Sequence, residues 1–155
     1  MNTNEKFFGL DTKWLYEKAQ RDFEKLKENQ TPDNIFNFFV TAYHLKDYIK
    51  EQHKKNETND IRKKYANLGD LLKKAGFIAN RGKHYKLKYK EYKNFTNEKK
   101  VIKYGDSGNH YGDKNLYYGG LYIITDDKGK EHIVNELAEQ LLNEWKNFMG
   151  KEKIL

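Results

Sequence analysis

The chain has 155 residues, the length of a single domain that can bury a core of its own. It contains no cysteine, which excludes disulfide bonds, cysteine-ligated zinc and thiol nucleophiles and fits a reducing compartment. Residues 1–6 are polar and lack the apolar core of a signal peptide, and polar residues interrupt the longest apolar stretch, Ile35–Ile49. We therefore expect one cytoplasmic domain over residues 1–155, with no membrane-spanning segment.

The net charge of +7 is unevenly distributed along the chain. Residues 50–100 carry 16 Lys or Arg and 6 Asp or Glu, a net charge of +10, so the other residues together carry −3. A basic section in a near-neutral chain is typical of proteins that bind the phosphate backbone of nucleic acids. A lysine-rich solvated surface encoded by an AT-rich genome has the same composition, so the charge alone leaves both interpretations open.

Two helices are predicted in the first third of the chain. Asp11 is the expected N-cap of the first helix and Thr31 of the second, where Pro32 occupies the first turn. The apolar positions of the first helix are Leu15, Ala19, Phe23 and Leu26. Those of the second helix are Ile35, Phe38, Phe39, Ala42, Leu45 and Ile49. The breadth of this second apolar stripe predicts that the second helix lies at the centre of the fold.

A polar connection, Gln52–Asp60, leads to a third helical segment whose apolar period extends from Leu68 to Ala79. Three glycines lie in or beside this segment, and each costs about 1 kcal/mol relative to alanine inside a helix. They are Gly69, Gly76 and Gly82. We therefore expect breaks in the third helix.

The last third of the chain changes to a strand-like pattern. Tyr85–Lys90 alternates between aromatic or aliphatic residues and lysine, and residues 116–125 are rich in Tyr and Ile. Asp126–Gly129 is a hairpin-turn signal, after which residues 132–134 should return antiparallel. Asn135 is the expected N-cap of a final helix that ends at Gly150. The predicted class is α+β, a mainly helical bundle with a small antiparallel sheet before the C-terminal helix.

One candidate site lies on the second helix. Asn37, Thr41, His44 and Asp47 follow each other at spacings of four, three and three residues, which places them on one strip of that helix. A carboxylate one turn from an imidazole can fix its tautomer and raise its basicity, so His44 and Asp47 are a possible second site. The alternative, which we favour, is a buried core histidine bonded to Asp47 or to a backbone carbonyl.

The main candidate site lies at the end of the third helix. Asn80, Lys83 and His84 share one helix face, whereas Arg81 lies on another. A histidine that moves a proton beside a lysine that stabilises negative charge suits acid–base chemistry on a phosphodiester, so these three residues are the candidate catalytic residues. A helix C-terminus whose basic residues offset the macrodipole remains an equal alternative.

Basic residues around the predicted strand are candidates for nucleic-acid binding. Lysines on one strand face and tyrosines on the other suit single-stranded RNA or DNA, although a solvated lysine face on an edge strand has the same pattern. The candidates are Arg81, Lys86, Lys88 and Lys90. The polar loop Gly105–Asn115 has oxygen-bearing residues but no recognised ligand spacing, so we expect no metal and no cofactor.

The segments Phe38–Ile49 (FFVTAYHLKDYI) and Ile78–His84 (IANRGKH) resemble a widespread group of uncharacterised bacterial proteins. In that group a helix with a (T/A)-x-Y-H-L-x-D-(W/Y) pattern is followed by an A-N-x-x-K-H pattern. A tail similar to Leu121–Phe148 extends the resemblance over most of the chain, and this resemblance implies no established activity.

The second pattern is also similar to the HEPN-type helical ribonucleases, which place an R-x(4–6)-H motif on a helix at a dimer interface. That resemblance implies a homodimer that binds and cleaves RNA. The chain departs from the motif, because only two residues separate Arg81 from His84 and Asn80 stands where an arginine is expected.

A simple geometric estimate separates the two histidines. If the second and third helices form a hairpin about Gln52–Asp60, His44 lies opposite Leu68, and His84 is about 24 Å further along the axis. Two functions therefore remain open. The chain is either a HEPN-like protein that binds or cleaves RNA, in bacterial or phage conflict, or a non-catalytic phage or mobile-element factor that binds another protein through its surface.

Overall fold

The structure is a computed structural model and describes residues 6–84, 92–100 and 121–155. Its main helices are α1 Thr12–Glu28, α2 Pro32–His53, α3 Ala66–Lys83 and α4 Val134–Lys151. Its strands are β1 Thr96–Lys100, β2 Leu121–Thr125 and β3 Glu131–Ile133. A 3₁₀ turn spans Phe7–Gly9 and a π-helical turn spans Glu57–Arg62. The predicted α+β class, with a three-stranded antiparallel sheet before the last helix, is confirmed.

The two predicted N-caps of α1 and α2 are confirmed. The Asp11 carboxylate accepts a hydrogen bond from the backbone N–H of Trp14, and the Thr31 hydroxyl accepts one from Asn34. Each cap satisfies one of the N–H groups that the first turn of a helix leaves without a partner. Only Asn29–Thr31 separate the two helices, so α1 and α2 pack against each other as neighbours.

The core is centred on α2, as its apolar breadth predicted. Phe38 and Phe39 are almost fully buried, and their rings meet edge to face at 5.0 Å. Helix α4 docks on α2 through Trp145, which is fully buried and donates its indole N–H to the Ala42 carbonyl at 2.9 Å. Within the described ranges, no helix combines the length and apolar character needed to cross a bilayer.

Helix α3 is continuous, and the breaks expected at its glycines do not occur. Gly76 marks a close approach instead, because a Cβ there would lie 2.3 Å from the Tyr92 hydroxyl oxygen and 2.9 Å from Tyr43 Cε2. The ring of Phe36 lies against Gly82 in the same way. The propensity cost of these glycines is therefore offset by tight packing of α3 on α2.

The sheet has the order β1-β2-β3 with both pairs antiparallel. The predicted hairpin turn joins β2 to β3, and Gly129 adopts a φ of 77°, which favours glycine. The Asp126 carboxylate accepts hydrogen bonds from the backbone N–H groups of Lys128 and Lys130 through one oxygen. Its other oxygen lies 2.7 Å from Nε2 of His132. This buried carboxylate organises the whole turn.

Replacing Asp126 with Asn should lower the free energy of unfolding by about 1.5–3 kcal/mol at pH 7, the usual contribution of a hydrogen bond to a charged group. Burial acts to raise the pKa of Asp126, but the hydrogen bonds from His132, Lys130 and Lys128 outweigh it and hold the pKa at about 2. A carboxyl group whose pKa is lowered by folding stabilises the folded state at every pH above its ordinary pKa. This stabilisation is lost as the pH falls towards 2.

Urea titrations at pH 7 and over the acid range would measure this effect. The difference between the parent and Asp126→Asn should shrink below about pH 4, where the carboxyl of the unfolded chain takes up a proton, until at about pH 2 the folded carboxyl takes one up as well. Asp127→Asn is the matched control, because that neighbouring carboxylate is exposed and forms a surface ion pair with Lys73. Equal losses in the two variants would contradict a special role for Asp126.

Three predictions about the elements differ from the structure. Strand β1 was not predicted, because its sequence TNEKK is entirely polar and all five residues are exposed. Asn135 is not an N-cap; it lies in the first turn of α4 and its side-chain oxygen accepts from the Gln30 amide at 2.7 Å. Helix α4 also continues one residue past Gly150. The predicted strand Tyr85–Lys90, residues 116–120 and the loop Gly105–Asn115 lie outside the described residues.

Candidate functional site

Three polar side chains meet where α2 and α3 face each other. His44 Nδ1 lies 2.7 Å from Oδ2 of Asp47, one turn further along α2. His44 Nε2 lies 3.1 Å from Nζ of Lys83, the last residue of α3. The imidazole therefore lies between a carboxylate and an ammonium group. The structure joins residues that the sequence had divided between two candidate sites.

The predicted separation of the two sites was wrong because the connection between the helices is longer than Gln52–Asp60. It runs from residue 54 to residue 65 and includes the π-helical turn. Tyr43 consequently packs on Gly76, which places His44 opposite residue 75. Lys83 is then only eight residues, or about 12 Å, further along the axis.

Side-chain direction closes this remaining distance. In an α-helix each Cα–Cβ bond tilts towards the N-terminus of its own helix. Phe36 lies against Gly82 and Tyr43 against Gly76, so α2 and α3 are antiparallel. His44 and Lys83 therefore lean towards each other, and their combined lengths bridge the gap.

The hydrogen bonds assign the proton positions at this site. Lys83 can only donate, so His44 Nε2 accepts and the ring hydrogen lies on Nδ1, from which it is donated to Asp47. The hydrogen bond from His44 lowers the pKa of Asp47 to about 2, with a further hydrogen bond from Lys46 acting in the same direction against partial burial. Asp47 is therefore an anion over the whole physiological range and holds the His44 ring in one tautomer.

His44 is not the buried core histidine that we favoured from the sequence. Its side chain is 38% exposed and that of Asp47 is 50% exposed, although the predicted bond between them is confirmed. The polar residues predicted to share one strip of α2 do not form one site. Thr41 is buried and bonds to Asp22 and Lys18 of α1. The half-exposed His44 ring thus has Asp47 beside Nδ1 and Lys83 beside Nε2.

The other candidate residues at the end of α3 lie near this cluster in different roles. Asn80 donates its side-chain amide to the Gly76 carbonyl at 2.7 Å and so bonds within its own helix. His84 is exposed and follows Lys83 directly, and its backbone N–H bonds to the Asn80 carbonyl. Arg81 donates to the His84 carbonyl at 3.1 Å and lies about 200° around the helix from Lys83.

One residue of this site was missed in the sequence. Lys46 belongs to α2, and its side chain reaches the π-helical turn. Its Nζ lies 2.9 Å from Asp47 and 3.5 Å from Glu57. It also lies over the Tyr43 ring at 4.6 Å from the centroid. Its position next to Asp47 in sequence was a signal, but the contact with Glu57 depends on the turn.

Lys86, Lys88 and Lys90, the remaining candidates for nucleic-acid binding, lie outside the described residues. Within the described ranges, no group of three or more His, Asp or Glu side chains is arranged to hold a metal ion. No protein-family model, curated protein or solved structure matches the chain.

Proposed function

We propose that this protein binds RNA and cleaves it by acid–base catalysis at the cluster of Asp47, His44 and Lys83. The observation that supports this function best is the position of the His44 ring, held by a carboxylate on one nitrogen and facing a cation on the other. The net charge of +10 between residues 50 and 100 favours a polyanionic substrate.

His44 acts as the general base in this proposal. Asp47 keeps the ring hydrogen on Nδ1, so the lone pair of Nε2 can accept a proton from the substrate. Lys83 is the electrostatic partner, because its ammonium group can bind a phosphate oxygen and stabilise the charge that develops there. Asp47 is a positioning residue, since it acts only through His44.

Lys83 also controls access to the base. Its bond to Nε2 occupies the lone pair that would accept the proton. A phosphate group is a stronger partner for an ammonium ion than a neutral imidazole, so an arriving phosphodiester draws Lys83 away and frees Nε2. Binding and activation are thereby coupled.

The reaction consistent with these groups uses the substrate's own 2′-hydroxyl. Nε2 of His44 removes the hydroxyl proton, the 2′-oxygen attacks phosphorus, and the bond from phosphorus to the 5′-oxygen breaks. The leaving 5′-oxygen takes a proton from water. The products are a 2′,3′-cyclic phosphate and a 5′-hydroxyl end, and the proton on His44 then returns to solvent.

The purified protein should therefore cleave a single-stranded RNA in the presence of a chelator and leave these two ends, which mass spectrometry identifies. The matched control is the same oligonucleotide with 2′-deoxyribose throughout, which should bind but remain intact. Products with 3′-hydroxyl ends would contradict the proposed reaction. Binding of both oligonucleotides without cleavage of either would remove catalysis and leave a nucleic-acid-binding protein.

A further inference from the structure

A second concave surface lies between α3 and the sheet, on the side of α3 that Arg81 occupies. It has a volume of about 410 Å³, within the range of about 300–1,000 Å³ that small-molecule sites usually have. Its walls are apolar and come from α2, α3 and β2. They include Phe36, Phe77, Ile78, Tyr122 and Ile124.

These walls belong to the folded core and not to a loose surface. Phe77 and Ile124 are each 2% exposed, and Ile78 and Tyr122 are half-buried against the same core. The ring of Phe36 is fixed against Gly82, where a Cβ would lie 2.3 Å from it. The groove is thus a preformed cavity, which lowers the entropic cost of binding a ligand.

The charged groups at the rim of this groove are cations. Lys99 and Tyr122 are partners across β1 and β2, so their side chains share the sheet face that lines the groove. Lys99 Nζ lies 5.3 Å from the centre of the Tyr122 ring. Arg81 supplies a second positive charge from α3.

Among the described residues that line the groove, only Glu98 carries a carboxylate, and its side chain projects away from the groove. Glu98 precedes Lys99 on β1, so its side chain projects from the opposite face of the sheet. Its carboxylate lies 3.6 Å from Lys100 on that face. The ammonium group of Lys99 and the carboxylate of Glu98 therefore lie on opposite faces of the sheet.

We propose that this groove binds a small amphipathic anion, with an aromatic or branched apolar body against Phe77 and Ile78 and one carboxylate, sulfonate or phosphate at Lys99. The apolar walls account for the body of the ligand and the Lys99 ammonium group for its single charge. This site is separate from the cluster at His44 and does not depend on the RNA-cleaving function.

Two dyes that differ in one group test the proposal. Anilinonaphthalene sulfonate has the apolar body and the anion, and phenylnaphthylamine has the same rings without the sulfonate. Fluorescence titration should show saturable binding of the sulfonate dye at one site per chain. Lys99→Gln should weaken that binding about five- to tenfold and change binding of the neutral dye less than twofold.

Two further variants complete the experiment. Ile78→Trp should fill the cavity and abolish binding of both dyes, with circular dichroism confirming that the chain is folded. Lys128→Gln removes the same charge from the β2–β3 turn and should leave both affinities unchanged. The proposal is overturned by non-saturable binding, by equal affinity for the two dyes, or by equal effects of Lys99→Gln and Lys128→Gln.

Discussion

Replacing His44 with Ala is expected to lower the rate of RNA cleavage by about 10²–10⁴-fold, the usual contribution of a general acid–base group. Stability should change by less than about 1 kcal/mol, because the ring is 38% exposed and its hydrogen bond to Asp47 lies at the surface. Single-turnover cleavage and thermal melting of the same preparations would measure the two effects.

Matched variants separate the roles within the cluster. Lys83→Ala should also reduce cleavage, whereas Lys128→Ala removes the same charge from the β2–β3 turn and should have little effect. Asp47→Asn should keep RNA affinity and alter the pH profile of cleavage, since the ring would lose the anion that fixes its tautomer. Full activity of His44→Ala, with activity lost in His84→Ala, would show that His84 is the essential base.

Phe39→Ala is expected to lower the free energy of unfolding by about 3–5 kcal/mol. The ring is 1% exposed and packs edge to face on Phe38, so truncation removes buried apolar area and leaves a cavity in the centre of the core. Equilibrium unfolding in urea, with an unchanged m-value, would measure the loss.

The chain offers the same substitution at an exposed position as a control. Phe8 is 85% exposed, so Phe8→Ala should change stability by no more than about 0.5 kcal/mol. A loss below about 1 kcal/mol for Phe39→Ala, or equal losses for both variants, would contradict the placement of the core around α2.

The sequence predicted those features that depend on local chemistry. Asp11 and Thr31 cap their helices as expected, since capping needs only a side-chain oxygen and the next turn of backbone. The apolar stripe of α2 predicted its central position, and Asp126–Gly129 predicted the hairpin. Strand β1 could not be found in this way, because it is polar along its whole length and has no alternation of apolar and polar residues.

The candidate site depends on a property that local patterns do not contain. Whether Lys83 reaches His44 is decided by the register of α3 on α2, and the register depends on where the connection ends. The π-helical turn Glu57–Arg62 has no apolar period of its own and lengthens the connection to residue 65. The sequence therefore named His44, Asp47 and Lys83 as candidates, and tertiary packing determined that these three side chains meet.

The position of Lys83 at the very end of α3 affects how long the site persists. The last turn of a helix frays at a free energy far below that of global unfolding. Each fraying event removes the ammonium group from His44 while the helical core stays intact. The fraction of molecules in which the cluster is assembled is therefore set by the stability of one helical turn. Warming lowers this fraction well before the protein melts.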